Sequence, residues 1–418
     1  MTGVAEIGLT WTIAGLTAAA IIIRPFGWPE ALWAALGAAL AIVFGLISVP
    51  LALHAFGKGA GVYLFLIGMM LLSEVARREG VFDWVAEWAL DHAEGSPKRL
   101  FGLIYAVGIA VTAVMSNDAT AVVLTPAVFA VGRQARLEPL PYLFVCAFIA
   151  NGASFVLPIS NPANIVLYGD HTPPLMSWLR SFMLPSVFSI VVTFLMLRWV
   201  LRAQLPTRFA AAREDLSLSA GGRTALAGIA VTAIALLCVS VFDLPLGLPT
   251  AVLGVVTALA VALRKRETPL LVLREVSWSI IPLVGGLFIL VEAIARTGAI
   301  DDLAAYVSHA AAQSRSEAAA IAGVAVALVS NLFNNLPVGL LAAATIATAK
   351  PPQVVTDAML IGVDLGPNFS VSGSLATILW LLAIRREGED VGYWTFLKVG
   401  LVVTPPALAC ALVARLLV

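Results

Sequence analysis

Two short stretches of the chain are weak copies of each other, at an offset of 218 residues. Residues 68–83 read GMMLLSEVARREGVFD, and residues 286–301 read GLFILVEAIARTGAID. The positions that match at this offset are Gly68/Gly286, Leu72/Leu290, Glu74/Glu292, Arg78/Arg296, Gly80/Gly298 and Asp83/Asp301. An internal repeat of this kind indicates a duplicated architecture, in which each half of the chain builds the same set of elements.

The composition predicts a membrane protein. Sixty per cent of the residues are hydrophobic and 12% are charged, whereas soluble domains carry about 25% charged residues. The formal net charge is zero, which gives no indication of a nucleic-acid partner. The first apolar run, residues 7–23, has no basic residue before it and no small-residue cleavage motif. We therefore predict that it is a span and not a cleavable signal peptide.

The cysteines give no indication of a metal centre. Cys146, Cys238 and Cys410 lie in three separate apolar stretches, without a CxxC motif or any other metal-ligand spacing. We interpret them as buried small apolar residues, because free cysteine behaves as a small hydrophobe. The sequence predicts no metal, no cofactor and no enzymatic activity.

Hydropathy divides the chain into simple and interrupted apolar segments, since a span needs about 20 mostly apolar residues. Simple spans are predicted near residues 7–23, 29–49, 60–77, 178–202, 223–241, 247–264, 278–296 and 392–415. Polar residues interrupt four further segments. We predict re-entrant hairpins at 99–133 and 316–349, crossing helices with an unwound middle at 139–169 and 352–386, and short interfacial helices at 81–94 and 300–312.

Each half then has five crossings and one hairpin. Because five is odd, the second half must enter the membrane in the opposite direction. The predicted fold is an all-α polytopic membrane protein, an inverted repeat of 5+5 transmembrane helices with two re-entrant hairpins and two broken helices. The first repeat is residues 1–203, the linker 204–222 and the second repeat 223–418.

The distribution of Lys and Arg predicts the orientation. Most of these residues fall on the side of the membrane that holds the linker, which the positive-inside rule makes cytoplasmic. Both termini are then outside the cytoplasm. We predict a multi-pass protein of the inner (plasma) membrane of a prokaryote.

The four breaks predict one polar chamber near the bilayer midplane, because unwound backbone survives at membrane depth only where protein or a water-filled cavity covers it. No Arg or Lys lies at any break. The chamber is therefore predicted to suit a small neutral hydroxylated molecule better than a polyanion, although helix N-termini can partly replace a basic side chain. The candidate substrate-binding residues are Asn117, Asp118, Asn151, Ser154, Asn161, Asn164, Asn334, Asn335, Asp364, Asn368 and Ser372.

Asp118 and Asp364 are the ionisable residues at the breaks. A charged carboxylate at the bilayer centre is costly, so such groups are natural proton carriers of a pump. In the alternative interpretation, each Asp caps the N-terminus of a half-helix and stays charged. The asparagines have a similar alternative, in which their amides satisfy the unwound backbone without contacting a substrate.

Two repeated pairs of charged residues, Glu74 with Arg78 and Glu292 with Arg296, are spaced four apart. Each pair shares one helix face, so the spacing predicts an ion pair. Its role is either a gate between the two sides or a salt bridge at the membrane edge that anchors the interfacial helix. We favour the salt bridge at the membrane edge.

At these residues the chain resembles the arsenical efflux pump family, the ArsB type, within the wider ion transporter superfamily. The resemblance covers nearly the whole chain, although Pro162 stands where relatives often have an aliphatic residue. Sodium-coupled dicarboxylate members carry Ser-Asn-Thr at both hairpin tips, whereas the tips here are Ser-Asn-Asp and Asn-Asn-Leu. The motifs that carry the resemblance are SNDATAVVLTP at 116–126, SNPANI at 160–165, NNLP at 334–337, DLGP at 364–367 and GSLAT at 373–377.

The resemblance implies a secondary active exporter of trivalent arsenite and antimonite, driven by proton influx and conferring arsenic resistance. The substrate would be the neutral trihydroxide, which fits a chamber of amides and hydroxyls. Some relatives also dock a cytoplasmic arsenite-stimulated ATPase, so that partner stays open. The alternatives are a sodium/proton antiporter or organic anion transporter of the same superfamily, a passive channel, and an intramembrane aspartyl protease, whose sequence motifs surround neither Asp118 nor Asp364.

Overall fold

The computed structural model describes residues 3–169, 172–205, 208–209, 217–268 and 270–418. Throughout these ranges the regular elements are helices, with no strand. Residues 206–207 and 210–216 of the predicted linker lie outside the described residues.

The first half contains α1 (Gly3–Ile23), α2 (Glu30–Val43), α3 (Val49–Lys58), α4 (Ala60–Arg78), α5 (Val81–His92), α6 (Pro97–Val114), α7 (Asn117–Ala119), α8 (Thr125–Gln134), α9 (Leu140–Gly152), α10 (Pro162–Tyr168) and α11 (Leu175–Leu201). The second half contains α12 (Ala220–Val241), α13 (Gly247–Lys265), α14 (Leu270–Glu275), α15 (Ile280–Ala295), α16 (Ala299–Gln313), α17 (Arg315–Phe333), α18 (Asn335–Ala349), α19 (Gln353–Leu365), α20 (Leu375–Arg386) and α21 (Tyr393–Leu416). Short 3₁₀ turns lie at Pro25–Gly27, Arg202–Gln204, Gly366–Phe369 and Val371–Gly373.

Eight helices of the described part are long and apolar enough to cross a membrane, namely α1, α4, α6, α11, α12, α13, α17 and α21. Helix α15 reaches that length only together with α16, which is bent away from it by 76°. The bend agrees with the prediction of an interfacial helix near 300–312.

The predicted single span at 29–49 is wrong in its second part. Helix α2 ends at Val43 after 14 residues, and a turn separates it from α3. Gly45 takes a left-handed conformation in that turn, with φ at 71°, which a residue without Cβ adopts at no steric cost. Pro50 then lies in the first turn of α3, where its missing N–H is not needed.

The order of helices repeats along the chain, as the sequence repeat predicts. Hairpin helices α6 and α17 begin at Pro97 and Arg315, which are 218 residues apart. The last helices of the halves, α11 and α21, begin at Leu175 and Tyr393, again 218 residues apart. The opposite orientation of the halves in the membrane and their boundaries at 203 and 223 stay predictions.

Packing between the halves follows the same repeat. Helix α2 packs on α15, and the corresponding helix of the second half, α13, packs on α4. Hairpin arm α6 packs on the broken helix α9, and arm α17 packs on the broken helix α19. Helices α11 and α21 pack along each other. Each of these contacts therefore has a counterpart in the other half or joins two corresponding helices.

The repeated glycines Gly68 and Gly286 lie where helices of opposite halves cross. A Cβ on Gly68 would lie 2.3 Å from the carbonyl oxygen of Thr250 on α13. A Cβ on Gly286 would lie 2.6 Å from the carbonyl oxygen of Ala34 on α2. Both distances are too short for a real side chain, so only glycine allows these backbones to approach so closely. The repeat in the sequence thus preserves two helix crossings.

We expect Gly68→Ala to lower the thermal stability of the detergent-purified protein, because the new methyl group meets backbone that cannot rotate away. Overpacking of this kind costs about 1–3 kcal/mol. Gly102→Ala is the matched control, since a Cβ there has no heavy atom within 4 Å and alanine favours the helix. Equal melting temperatures for the two variants would contradict the assignment of a close crossing at Gly68.

Candidate functional site

The tip of the first hairpin is bonded to the break of its own half. Ser116 caps α7, its Oγ accepting a hydrogen bond from the backbone N–H of Ala119 at 3.4 Å. The backbone N–H of Asn117 donates to the carbonyl of Ser160 at 3.0 Å. The Oγ of Ser160 in turn donates to the carbonyl of Ala113 on α6 at 3.0 Å. The unwound segment between α9 and α10 is thereby fixed against the hairpin tip.

The second hairpin tip meets the second break through side chains. Asn334 has a φ of 71°, and its Oδ1 accepts from the N–H of Leu336 at 3.3 Å, which caps α18. Ser370 Oγ donates to Asn331 Oδ1 at 2.7 Å, and Ser372 Oγ donates to the Asn331 carbonyl at 3.0 Å. Each tip therefore contacts the break of its own half.

The two breaks also meet each other, through two hydrogen bonds that correspond in the repeat. Asn161, which caps α10, donates from Nδ2 to Asp364 Oδ1 at 2.8 Å. Ser374, which caps α20, donates from Oγ to Asn151 Oδ1 at 3.3 Å. The two donors, Asn161 and Ser374, are 213 residues apart in the sequence, and so are the two acceptors, Asn151 and Asp364. The acceptors are the penultimate residues of α9 and α19. Each half therefore presents a capping donor to a helix end of the other half.

Further hydrogen bonds close this junction around Asn151 and Asn368, both fully buried. Asn151 Nδ2 donates to Asn368 Oδ1 at 3.0 Å and to Thr377 Oγ1 at 3.3 Å. Asn368 Nδ2 donates to the carbonyl of Phe148 at 2.9 Å. The amides thus bind each other and the ends of the broken helices, and they join the two halves at their centre.

The junction differs between its two sides in charge. The acceptor of the second cross-half bond, Asn151, is a neutral amide, whereas the acceptor of the first, Asp364, is a carboxyl group. Asp364 Oδ2 is buried and has no hydrogen-bond partner among the described residues. Asn161 therefore holds one oxygen of the carboxyl, and the side chain of Ser154 is a further hydrogen-bonding neighbour of the same group.

A narrow cleft lies beside the junction, with about 270 Å³ of free space that includes its opening. Both hairpin tips contribute to it, Asn117 and Asp118 from the first and Asn335 from the second. Asn117 Oδ1 is buried without a partner in the described part of the chain. No Lys or Arg is among the described residues that line the cleft, which are Leu66, Asn117, Asp118, Asn161, Pro162, Ile280, Asn335, Leu336, Leu375 and Ala376.

Comparison with known proteins agrees with this architecture. A family model described as "Citrate transporter" matches residues 18–368. The "Arsenical pump membrane protein" of Yersinia enterocolitica is 30% identical over 423 residues, covering 97% of each chain. A protein of the same name from Escherichia coli is 29% identical over 415 residues, covering 96% of each chain. The chain belongs to the arsenical pump family. The relatives and the family model reported above are transporters, which agrees with the prediction of no enzymatic activity.

Two solved transporter structures share the fold. The Alcanivorax borkumensis YdaH transporter aligns with a TM-score of 0.57 at 15% identity, over 87% of this chain and 86% of that one. Neisseria gonorrhoeae MtrF aligns with a TM-score of 0.52 at 13% identity, over 98% of this chain and 94% of that one. At such low identity the likeness shows the helical transporter fold of this arsenical pump family member.

Several predicted site residues support backbone and do not line the cleft. Asn164 Nδ2 donates to the carbonyls of Ser154, Leu157 and Pro158 at 2.9, 3.2 and 3.3 Å, and so closes the unwound segment upon itself. Ser154 Oγ donates to the carbonyl of Asn151 at 2.7 Å. Asn334 and Ser372, described above, hold the second tip. For these residues the structure shows the backbone-supporting role that the sequence left open.

A π-helical turn, Thr120–Leu124, follows the tip of the first hairpin. Pro126 is the second residue after this turn and has no N–H to donate, which removes a regular helical bond one turn back. In the second hairpin Pro337 lies in the first turn of α18, where no such bond is lost, and that helix is regular. The Oγ1 atoms of Thr112 and Thr120 lie 2.8 Å apart and brace the wider turn against α6.

The charged residues of the repeat have partners other than the predicted ones, so the Glu74–Arg78 and Glu292–Arg296 pairs need correction. The guanidinium of Arg77 donates to Glu74 through both Nε and Nη2. Helix α3 packs on α15, and this contact brings Lys58, the last residue of α3, to Glu292. All these contacts lie at helix ends, as a membrane-edge role requires. They are Glu74 with Arg77 at 2.6 Å, Arg78 with Glu267 at 3.9 Å and Glu292 with Lys58 at 2.9 Å.

Some residues of the site gave no usable signal in the sequence. Leu66 and Ile280 line the cleft but look like any other apolar span residue. Asn331 is not among the predicted site residues, although it lies three residues before Asn334. Its signal in the sequence is a polar side chain within one helical turn of a break. The expectation of buried cysteines holds for Cys146, whereas Cys238 is exposed.

We expect Asn164→Leu to destabilise the folded protein strongly. Leucine has a similar volume but leaves the carbonyls of the unwound segment without a donor, and each unsatisfied buried group costs about 1–3 kcal/mol. Asn117→Leu is the matched control, because the Asn117 side chain lines the cleft and does not serve the three carbonyls that Asn164 Nδ2 serves. Thermal unfolding in detergent checks this. If Asn117→Leu proved to be the more destabilised variant, the division into supporting and lining asparagines would be wrong.

Proposed function

We propose that the protein is a secondary active exporter of trivalent arsenite and antimonite, taken as neutral trihydroxides and driven by proton influx. The observation that carries this proposal is the cleft between the two hairpin tips, lined by amides, one carboxyl group and apolar side chains, without a basic residue. The full-length similarity to arsenical pump membrane proteins supports the same substrate class.

The hydrogen-bonding needs of a trihydroxide match those of the cleft. Its hydroxyl groups are donors, and Asn117 Oδ1 is a buried acceptor without a partner. An acceptor left in that state costs about 1–3 kcal/mol, and a bound hydroxyl would recover this energy. The amide groups of Asn161 and Asn335 can donate to the substrate oxygens. A neutral ligand needs no counter-charge, which agrees with the lining.

Asp118 and Asp364 are the proposed proton carriers. Asp118 lines the cleft, and Asp364 lies one hydrogen bond behind it, through Asn161. A proton that enters from outside would bind one of these carboxyl groups and favour substrate release there. Loss of the proton to the cytoplasm would restore the hydrogen-bond acceptors and favour capture. Each carboxyl group carries charge only while no proton is bound.

For the moving part we propose the hairpins and broken helices, which the sequence places at 99–169 and 316–386, together with α11 and α21. These two helices pack on each other and on α9 and α19. Helices α1, α2, α4, α12, α13 and α15 would form the static scaffold. We propose that the protein lies in the inner membrane of a prokaryote, with both termini outside the cytoplasm and the linker 204–222 inside it.

Transport of an organic anion such as citrate is the nearest alternative, because the matching family model is described as a citrate transporter. A polyanion would meet the carboxyl of Asp118 in the cleft and would lack a basic partner there. A sodium/proton antiporter remains the other alternative within the superfamily, since it would also use two membrane aspartates. Transport assays separate all three.

We expect everted membrane vesicles to accumulate arsenite when a proton gradient is imposed without ATP. Asp118→Asn and Asp364→Asn should each reduce this uptake to near background, because neither amide can carry the proton. Asp243→Asn, an exposed loop residue, is the matched control and should transport as the unaltered protein does. Citrate in excess should not compete.

Full proton-driven uptake by both Asp118→Asn and Asp364→Asn would refute the assignment of the proton carriers. Competition by citrate, or sodium-dependent proton movement without arsenite transport, would instead refute the proposed substrate. ATP-independent uptake would show that the chain works without an ATPase partner.

A further inference from the structure

A second buried carboxyl group lies on α19, seven residues before Asp364, on the same face of the helix. Asp357 is fully buried, and four donors surround it. Its Oδ1 accepts from Tyr168 Oη at 2.5 Å and from Gln353 Nε2 at 2.7 Å. Its Oδ2 accepts from both Nε and Nη2 of Arg415 at 2.8 Å. The charge of Asp357 is thus compensated, whereas no Lys or Arg contacts Asp364 among the described residues.

This cluster and the Asn161–Asp364 bond anchor the two ends of the same short helix. Asn161 caps the start of α10 and Tyr168 ends it, and both bind carboxyl groups of α19. Asn161 and Tyr168 are seven residues apart, and so are their partners Asp364 and Asp357. The partners occur in the opposite order along the chain, so α10 runs antiparallel to α19. Seven residues of helix rise about 10.5 Å on both sides. Both bonds therefore form together in one register, and a slip of one turn, about 5.4 Å, breaks both.

Helix α10 depends on such anchors because it has little stability of its own. It comprises seven residues, Pro162–Tyr168, well below the about 12–15 that an isolated helix needs. Unwound backbone precedes it, and Gly169 follows it with a left-handed φ of 57°. Contacts with neighbouring helices must therefore set its position.

The corresponding place in the other half has no such polar cluster. At the repeat offset of 213, Tyr168 corresponds to Leu381 and Asp357 corresponds to Phe144. Helix α20 is longer than α10, at 12 residues, and packs through the aromatic contact of Trp380 with Phe144, whose ring centroids are 5.7 Å apart. Within the described part of the chain, the polar anchor thus occurs only on the side of the junction that carries the carboxyl group of Asp364.

From this arrangement we infer that Tyr168, Asp357 and Arg415 are positioning residues for Asp364. They hold α10 in register with α19, and this register keeps Asn161 hydrogen-bonded to Asp364. The cluster does not line the cleft, so it acts through α10 and not on the substrate. The effect of this cluster on transport rests on the proposed role of Asp364 in proton transfer. The coupling between the two hydrogen bonds of α10 does not depend on that role.

Thermal unfolding of purified variants tests the coupling without any substrate. Tyr168→Phe removes one hydroxyl, and Asn161→Ser keeps a capping residue while shortening the side chain that reaches Asp364. We expect each variant to lower the melting temperature by a few degrees. The double variant should lose clearly less than the two losses added together, because both bonds depend on one register.

The control pair is Tyr168→Phe with Ser374→Ala. Ser374 makes the corresponding cross-half bond to Asn151, where no polar anchor exists, so these two losses should add. Additive losses for Tyr168→Phe with Asn161→Ser, as in the control pair, would overturn the inference.

Arsenite uptake provides the transport readout, with rates normalised to folded protein. Tyr168→Phe should lower the maximal rate and leave KM unchanged, and adding it to Asn161→Ser should lower the rate no further. If the double variant instead lost rate by the product of the two single losses, the positioning role would be wrong. If the unaltered protein carries no arsenite, the proposed substrate fails, while the melting-temperature result still decides on the coupling.

Discussion

The structure depends on the satisfaction of unwound backbone and buried polar groups at the junction of two broken helices. In hydrocarbon each unsatisfied backbone group costs several kcal/mol, so neither break is stable alone. Each hairpin tip covers the break of its own half, and capping residues of each half bind helix ends of the other. The same interactions that stabilise the fold therefore create a polar junction among apolar helices, beside which the cleft lies.

The two halves form corresponding hydrogen bonds across the junction, but the acceptors of these bonds differ in charge. The bonds Asn161–Asp364 and Ser374–Asn151 occupy equivalent places, yet only one has a titratable acceptor. The tips differ likewise, since Asp118 corresponds to Leu336 at the repeat offset of 218. Duplication thus supplies the framework, and substitution within one copy supplies the groups that carry protons in the proposed mechanism.

The sequence predicted the all-helical membrane fold well where long apolar segments and their breaks recur in both halves. The breaks within these segments and the bend after α15 follow from that pattern, whereas the re-entrant course of the hairpins stays a prediction. The turn at Gly45 was missed because apolar residues continue across it, and hydropathy alone does not register a left-handed glycine. The ion pairs were misassigned because helix spacing ignores neighbours such as Lys58, which only tertiary packing brings to Glu292.

Within the site, residue type identified the junction but not the role of each member. Asn164 and Asn117 are indistinguishable in sequence, yet Asn164 donates to three backbone carbonyls and Asn117 lines the cleft. In the proposed mechanism a neutral trihydroxide binds in the cleft between the two tips. Anomalous diffraction at the arsenic edge from crystals grown with arsenite tests it most directly. We expect an arsenic peak within hydrogen-bonding reach of Asn117 and Asn335. A peak at a cysteine sulfur such as that of Cys146, with none in the cleft, would refute binding of the trihydroxide there.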